Sequence, residues 1–183
     1  MRAMKRSATL SLITVISAAY LVQLLIPGLQ TNLALFYGPF DGHGVAAGEW
    51  YRLFTVALTH GGIFHLGFNM YALMVLGNPI EAAFGKSRFL IIFFFSLLTG
   101  SLASIFLSSQ YQVSVGASGA IFGLFGAMAV VSRRIGADVK SVYVIVGINF
   151  ALGFILGGID WHAHLGGLIG GALASVVLLN QRQ

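Results

Sequence analysis

The chain has 183 residues, 57% of them hydrophobic and only 8% charged, with a strongly positive mean hydropathy; this is a bilayer composition and excludes an ordinary soluble domain. The absence of cysteine excludes disulfides and thiolate metal sites. A formal charge of +5 could point to nucleic acid, but the bases are scattered between apolar segments and form no patch, so no nucleic-acid partner is expected.

The opening MRAMKRS followed by an apolar run imitates a secretory signal. The run from Ala8 to Ile26 is longer than a signal core and no A-x-A site follows, so it is predicted to be an uncleaved first span. Pro27 to Gly62 is too long for a hairpin and carries apolar stretches. It is predicted to lie in the outer interface, with Trp50 and Tyr51 at headgroup level and Trp50 and Arg52 fixing the loop. His43 is expected to be solvated, and His60 to form hydrogen bonds where the loop enters the second span.

Five further spans are predicted near residues 63–84, 89–107, 118–131, 142–156 and 161–179, long enough or nearly so for roughly 30 Å of hydrocarbon. Glu81 is expected to pair with Lys86 and Arg88 at the cytoplasmic end of the second. With a cytoplasmic N-terminus, Arg2, Lys5, Arg6, Lys86, Arg88, Arg133, Arg134, Lys140 and Arg182 all fall inside. Of the ten Lys and Arg residues only Arg52 falls outside. The expected fold is an all-α membrane protein of six transmembrane helices, with a long interfacial loop between helices 1 and 2. It forms a single domain over 1–183, multi-pass in the cytoplasmic membrane, with both termini cytoplasmic and no soluble domain at either end.

The fourth span begins with GASGAIFG, Gly116 to Gly123. A helix from Ser118 to the basic pair Arg133 and Arg134 has about 15 residues and a length of roughly 22 Å, too short to cross the core. With the arginines at the cytoplasmic surface, Ser118 lies inside the membrane. Non-helical backbone leading to it at that depth must be packed in protein or line a wet cavity. Gly116 can take backbone angles closed to other residues, and Gly119, Gly123 and Gly126 let another helix approach. The plainer reading makes Ser118 an N-cap and the glycines a packing face.

A serine nucleophile needs a base, most often histidine. In WHAHLGGLIGGALAS, His164 shares its helical face with Gly167, Gly171 and Ser175, whereas His162 shares one with Leu165, Ile169 and Leu173, which suits lipid or a greasy neighbour. Gly167 with Gly171 and Gly119 with Gly123 are both G-x-x-x-G spacings. Two such faces packed together would bring Ser118 within reach of His164. Backbone N–H groups at the start of the serine helix could serve as oxyanion donors, and His65 and Asn69 stand four apart on one face at matching depth.

The W-x-R of EWYR, HGGIFHLGFNM, GASGAIFG and AHLGGLIGG, in this chain order, resemble the rhomboid family of intramembrane serine proteases. The resemblance implies a Ser–His dyad of Ser118 and His164 without a third acidic member, although Asp160, four residues before His164, leaves a triad open on helical spacing. It implies that His65 and Asn69, matching H-x-x-x-N, complete the oxyanion hole, and that Phe122 lies against the His164 ring. It also implies substrates that are transmembrane segments of other proteins, entering sideways from the lipid bilayer and cut near small or helix-breaking residues. The fifth span, with Gly147, Asn149, Gly153 and Gly157, is a candidate gate. No cofactor and no metal are implied: H-E-x-x-H does not occur, and His162 and His164 point to different faces. The rivals are a client-binding pseudoprotease, which would be expected to lack the serine or the histidine, and a small transporter. Against the latter, no acidic residue sits mid-membrane.

Overall fold

The computed structural model describes residues 7–38, 41–134, 140, 144–148 and 159–181, and among them the regular structure is helical with no strand. Helix α1 spans Ala8–Leu25, α2 Leu29–Leu33, α3 Arg52–Thr55, α4 Ile63–Phe84, α5 Lys86–Leu107, α6 Ser118–Arg134 and α7 Trp161–Asn180. Of these, α1, α4, α5 and α7 are long and apolar enough to cross a membrane by length and composition. Helix α6 is shorter, at 17 residues. That is roughly 25 Å of helix against about 30 Å of hydrocarbon. The span expected near 142–156, with Asn149, Gly153 and Gly157, lies outside the described residues apart from a helical stretch at 144–148.

Helix boundaries follow local chemistry. Ser7 caps α1, its Oγ accepting from Leu10 N–H, and α1 ends ahead of Pro27. The third span starts at Lys86, three residues before the expected position. Gly85, at φ +80°, breaks the chain there, and the basic residues Lys86 and Arg88 fall in the first turn of α5.

Helices α5, α6 and α7 pack most closely on one another, and glycine makes this possible. A methyl group at Gly167 would fall on the Gly119 carbonyl, and one at Gly171 on the Gly123 carbonyl. On the neighbouring face of α7, the same addition at Gly166 or Gly170 would strike Thr99. The last helix thus lies with bare backbone against both partners, where dispersion replaces the hydrophobic drive that lipid cannot supply.

The loop between α1 and α4 is folded around Arg52, which is 1% exposed. Its guanidinium donates to Glu49 Oε2 at 2.7 Å and to the carbonyls of Thr31 and Ala34 at 2.8 and 2.7 Å, and it lies over the Phe36 ring. A buried charge is tolerable when paired and hydrogen-bonded in this way. Trp50 points outward, 59% exposed.

One expectation needs correction, and two gain detail. Glu81 is not bound to Lys86 or Arg88; its carboxylate accepts from Ser7 Oγ, Ala8 N–H, Thr9 N–H and Thr9 Oγ. The free N–H groups at the start of α1 are the stronger attraction, because they converge on one anion and lie against α4. His60 makes the hydrogen bonds expected where the loop enters α4, but through its backbone, which exchanges two with the Gln23 amide at 2.8 and 3.0 Å, while its buried ring nitrogens have no partner. His162 has an apolar neighbour in Trp161, against which its ring lies, and also a polar one, its Nδ1 meeting Ser108 Oγ at 2.8 Å.

Candidate active site

The chain descends into α6 through Ser114, Val115 and Gly116. Ser114 exchanges backbone hydrogen bonds with Leu35 at 3.0 and 2.8 Å, and Gly116 N–H donates to the Val56 carbonyl at 2.9 Å. Gly116 has φ +108°, and a methyl there would stand 2.8 Å from His65 Cε1, so both its backbone and its neighbour require glycine. The turn delivers Ser118 as the first residue of α6, half-buried, in the turn where a helix has N–H groups without intrahelical acceptors.

Helix α7 brings His164 to this point. Its Nε2 lies 2.9 Å from Ser118 Oγ, the separation of a hydrogen bond. The close approach of Gly167 to Gly119 one turn further along permits it. Phe122 stacks on the His164 ring, with centroids 4.0 Å apart and planes 7° from parallel. The ring is thereby held in one plane, as an oriented base requires.

His65 and Asn69 line the same cavity as Ser118 and His164, a space of about 880 Å³ that continues to Phe68 and Phe125. Gly61 N–H donates to His65 Nδ1 at 3.4 Å. With Nδ1 accepting, the proton of the neutral ring is on Nε2, which becomes a donor. Asn69 Nδ2 donates to the His65 carbonyl at 2.8 Å, fixing the amide orientation and leaving a second N–H.

Asp160 lies at the cavity's edge but has other commitments. Its carboxylate accepts from Ala163 N–H at 3.1 Å as the N-cap of α7, from Ser114 Oγ, and from Ser108 Oγ at 3.4 Å. His43, 61% exposed at its side chain, reaches Glu49 at 3.0 Å. Hydrogen bonds from Gly44 N–H, His43 and Arg52 hold the Glu49 carboxyl at about 2, below its ordinary range.

The sequence reading left out Ser104, Ser108 and Ser114. The signal was there: hydroxyls at i and i+4 at the C-terminal end of α5, and a third four residues before Ser118.

With this geometry in view, residues 47–181 match the Rhomboid domain. The chain belongs to the rhomboid family. The rhomboid protease GluP of Bacillus subtilis (strain 168) is 41% identical over 157 residues, which cover 81% of this chain and 30% of GluP. YdcA of the same bacterium is 37% identical over 145 residues, covering 76% of this chain and 73% of YdcA. RHOMBOID-like protein 5 of Arabidopsis thaliana is 38% identical over 169 residues, covering 87% and 53% respectively. The chain therefore spans less than a third of GluP and about half of the Arabidopsis protein. Family and apolar helices together make it an integral membrane protein.

Proposed function

We propose that this rhomboid is an intramembrane serine endopeptidase, with Ser118 as nucleophile and His164 as general base. The observation that carries the reading is the 2.9 Å contact between Ser118 Oγ and His164 Nε2 at the wall of a cavity. His164 Nε2 takes the hydroxyl proton as Oγ attacks a peptide carbonyl carbon. The carbonyl oxygen becomes an oxyanion facing Ser118 N–H, His65 Nε2–H and the second Asn69 N–H. Its collapse breaks the C–N bond, His164 returns the proton to the leaving amine, and a water activated by His164 hydrolyses the acyl ester. Gly116 and Phe122 keep the groups in register. Asp160 is no third member of the triad in this scheme, its carboxylate being engaged with Ala163, Ser114 and Ser108.

The substrates are transmembrane segments of other proteins, reached through the bilayer. Six spans with both termini cytoplasmic complete the reading, supported by the one-sided distribution of Lys and Arg. The shortness of α6 then sets Ser118 below the outer surface, where a water-filled cavity must supply the hydrolytic water.

The test is co-reconstitution in liposomes with a panel of single-span proteins carrying small or helix-breaking residues. Wild type is expected to cut a bond in or near the apolar span, with Ser118→Ala and His164→Ala slower by at least about 10³-fold. Binding of the same clients by wild type and Ser118→Ala with no cleavage by either would replace this reading with a client-binding one.

A further inference from the structure

The dyad contact poses a mechanical problem. Helices α6 and α7 meet through glycine backbone at Gly119, Gly123, Gly167 and Gly171. Such a surface fixes how closely two helices approach but carries few side-chain knobs to stop one sliding along the other. A 2.9 Å hydrogen bond between Ser118 and His164 tolerates only a fraction of an ångström of sliding. Something outside the glycine contact must set the axial position.

The sequence places two polar residues symmetrically: Asp160 is four residues before His164, and Ser114 four before Ser118. In the structure these two meet, Ser114 Oγ donating to Asp160 Oδ2. The same carboxylate accepts Ala163 N–H, in the first turn of α7, and the Asp160 carbonyl accepts His164 N–H at 3.2 Å. Ser114 is held from two other directions, by its backbone pairing with Leu35 and by Ser104 Oγ of α5 at 3.2 Å. Because the Ser114 hydroxyl has given its hydrogen to Asp160, Ser104 is the donor in that contact. Ser114 and Ser104 are buried and the Asp160 side chain is only 9% exposed, so water competes weakly for these bonds.

We infer that Asp160 and Ser114 form a clamp that sets the register of the base-bearing helix against the nucleophile-bearing one. Asp160 is on this view a positioning residue, acting through the helix it caps and through Ser114, and it touches neither substrate nor the reacting atoms. The inference rests on the dyad reading above. It goes further in assigning the alignment of the dyad to a contact outside it.

The test measures the rate constant for labelling of Ser118 by a fluorophosphonate, per folded molecule in detergent, together with thermal midpoints and a pH profile. Asp160→Ala is expected to slow labelling by about 10- to 100-fold even at the pH of its maximal rate. Asp160→Asn is expected to restore the rate to within about threefold, since an amide can both accept from Ala163 N–H and pair with Ser114 Oγ. Ser114→Ala leaves the helix cap intact and is expected to slow labelling about tenfold. The double variant should be no slower than Asp160→Ala alone, as expected of two residues acting as one unit.

Wild-type labelling by a dyad-dependent route, with Asp160→Ala reacting at the wild-type rate, overturns the clamp and leaves the dyad standing. So does a wild-type rate in Ser114→Ala beside a slow Asp160→Ala, which would make Asp160 a helix cap only. A shifted pH midpoint in both Asp160 variants, without rescue by asparagine, would replace positioning by a charge effect on His164. Absence of labelling in wild type would remove the dyad reading and the clamp together.

Discussion

Two polar junctions of this molecule use similar groups to opposite ends. Where α1 meets α4, the Glu81 carboxylate accepts four hydrogen bonds of 2.8 to 2.9 Å from Ser7, Ala8 and Thr9. Where α6 meets α7, a hydroxyl and an imidazole share one contact of 2.9 Å at the wall of a cavity. The first saturates an anion and fastens two helices. The second leaves a hydroxyl and an imidazole in contact with each other and facing a cavity, the arrangement that the proposed nucleophile and base require. The difference teaches that burial of a polar group in such a protein reads as structure when its bonding capacity is filled, and as chemistry when a cavity faces it.

The sharpest way to break the comparison is to exchange effects between the two junctions. Ser118→Ala should lower cleavage by at least about 10³-fold with an unchanged thermal midpoint. Glu81→Ala should do the reverse. It loses about 2 kcal/mol of stability through the orphaned donors of α1, while labelling of the folded fraction stays near wild type. Midpoints from thermal unfolding in detergent, beside labelling rates, check both.

Gly167→Val comes next. It forces a side chain onto the Gly119 carbonyl, so α7 must move away and carry His164 with it. Activity should fall by about 10²-fold together with stability, measured by cleavage and by unfolding. Phe122→Leu removes the ring stacked on His164 but keeps an apolar side chain, and should slow cleavage by about 3- to 10-fold with little change in stability. The smallest effect concerns the loop. Because Glu49 is held at about 2, its contribution is fully present above the ordinary carboxylate value of 4.5 and is lost as pH falls through 2. The fluorescence of the exposed Trp50 should thus stay constant from pH 7 to about 4 and change only in stronger acid.

Much of this was legible in the chain. Apolar run lengths placed α1, α4, α5, α6 and α7 to within a few residues, because in lipid every backbone group must be satisfied inside its own helix. The glycine spacings brought Gly167 to Gly119 and Gly171 to Gly123, as the shared faces require. Gly116 adopts a positive φ, as its freedom of backbone angle allows, and Phe122 lies on the His164 ring, as the resemblance implies. What escaped was the destination of single polar groups. Glu81 could be matched to Lys86 and Arg88 by proximity in sequence, but its partners are 72 to 74 residues away. His162 was read from its helical face, which says nothing of Ser108 on another helix 54 residues distant. Periodicity reports which face a residue occupies, whereas a hydrogen bond depends on what the fold sets opposite.

The central claim is that Ser118 is an activated nucleophile and His164 its base, and intact-mass detection of a fluorophosphonate adduct on the purified protein tests it most directly. One adduct is expected on wild type, mapped to Ser118, and none on Ser118→Ala or His164→Ala. An unlabelled wild type, in a detergent where GluP is labelled, would contradict it. So would an adduct that survives His164→Ala at the wild-type rate.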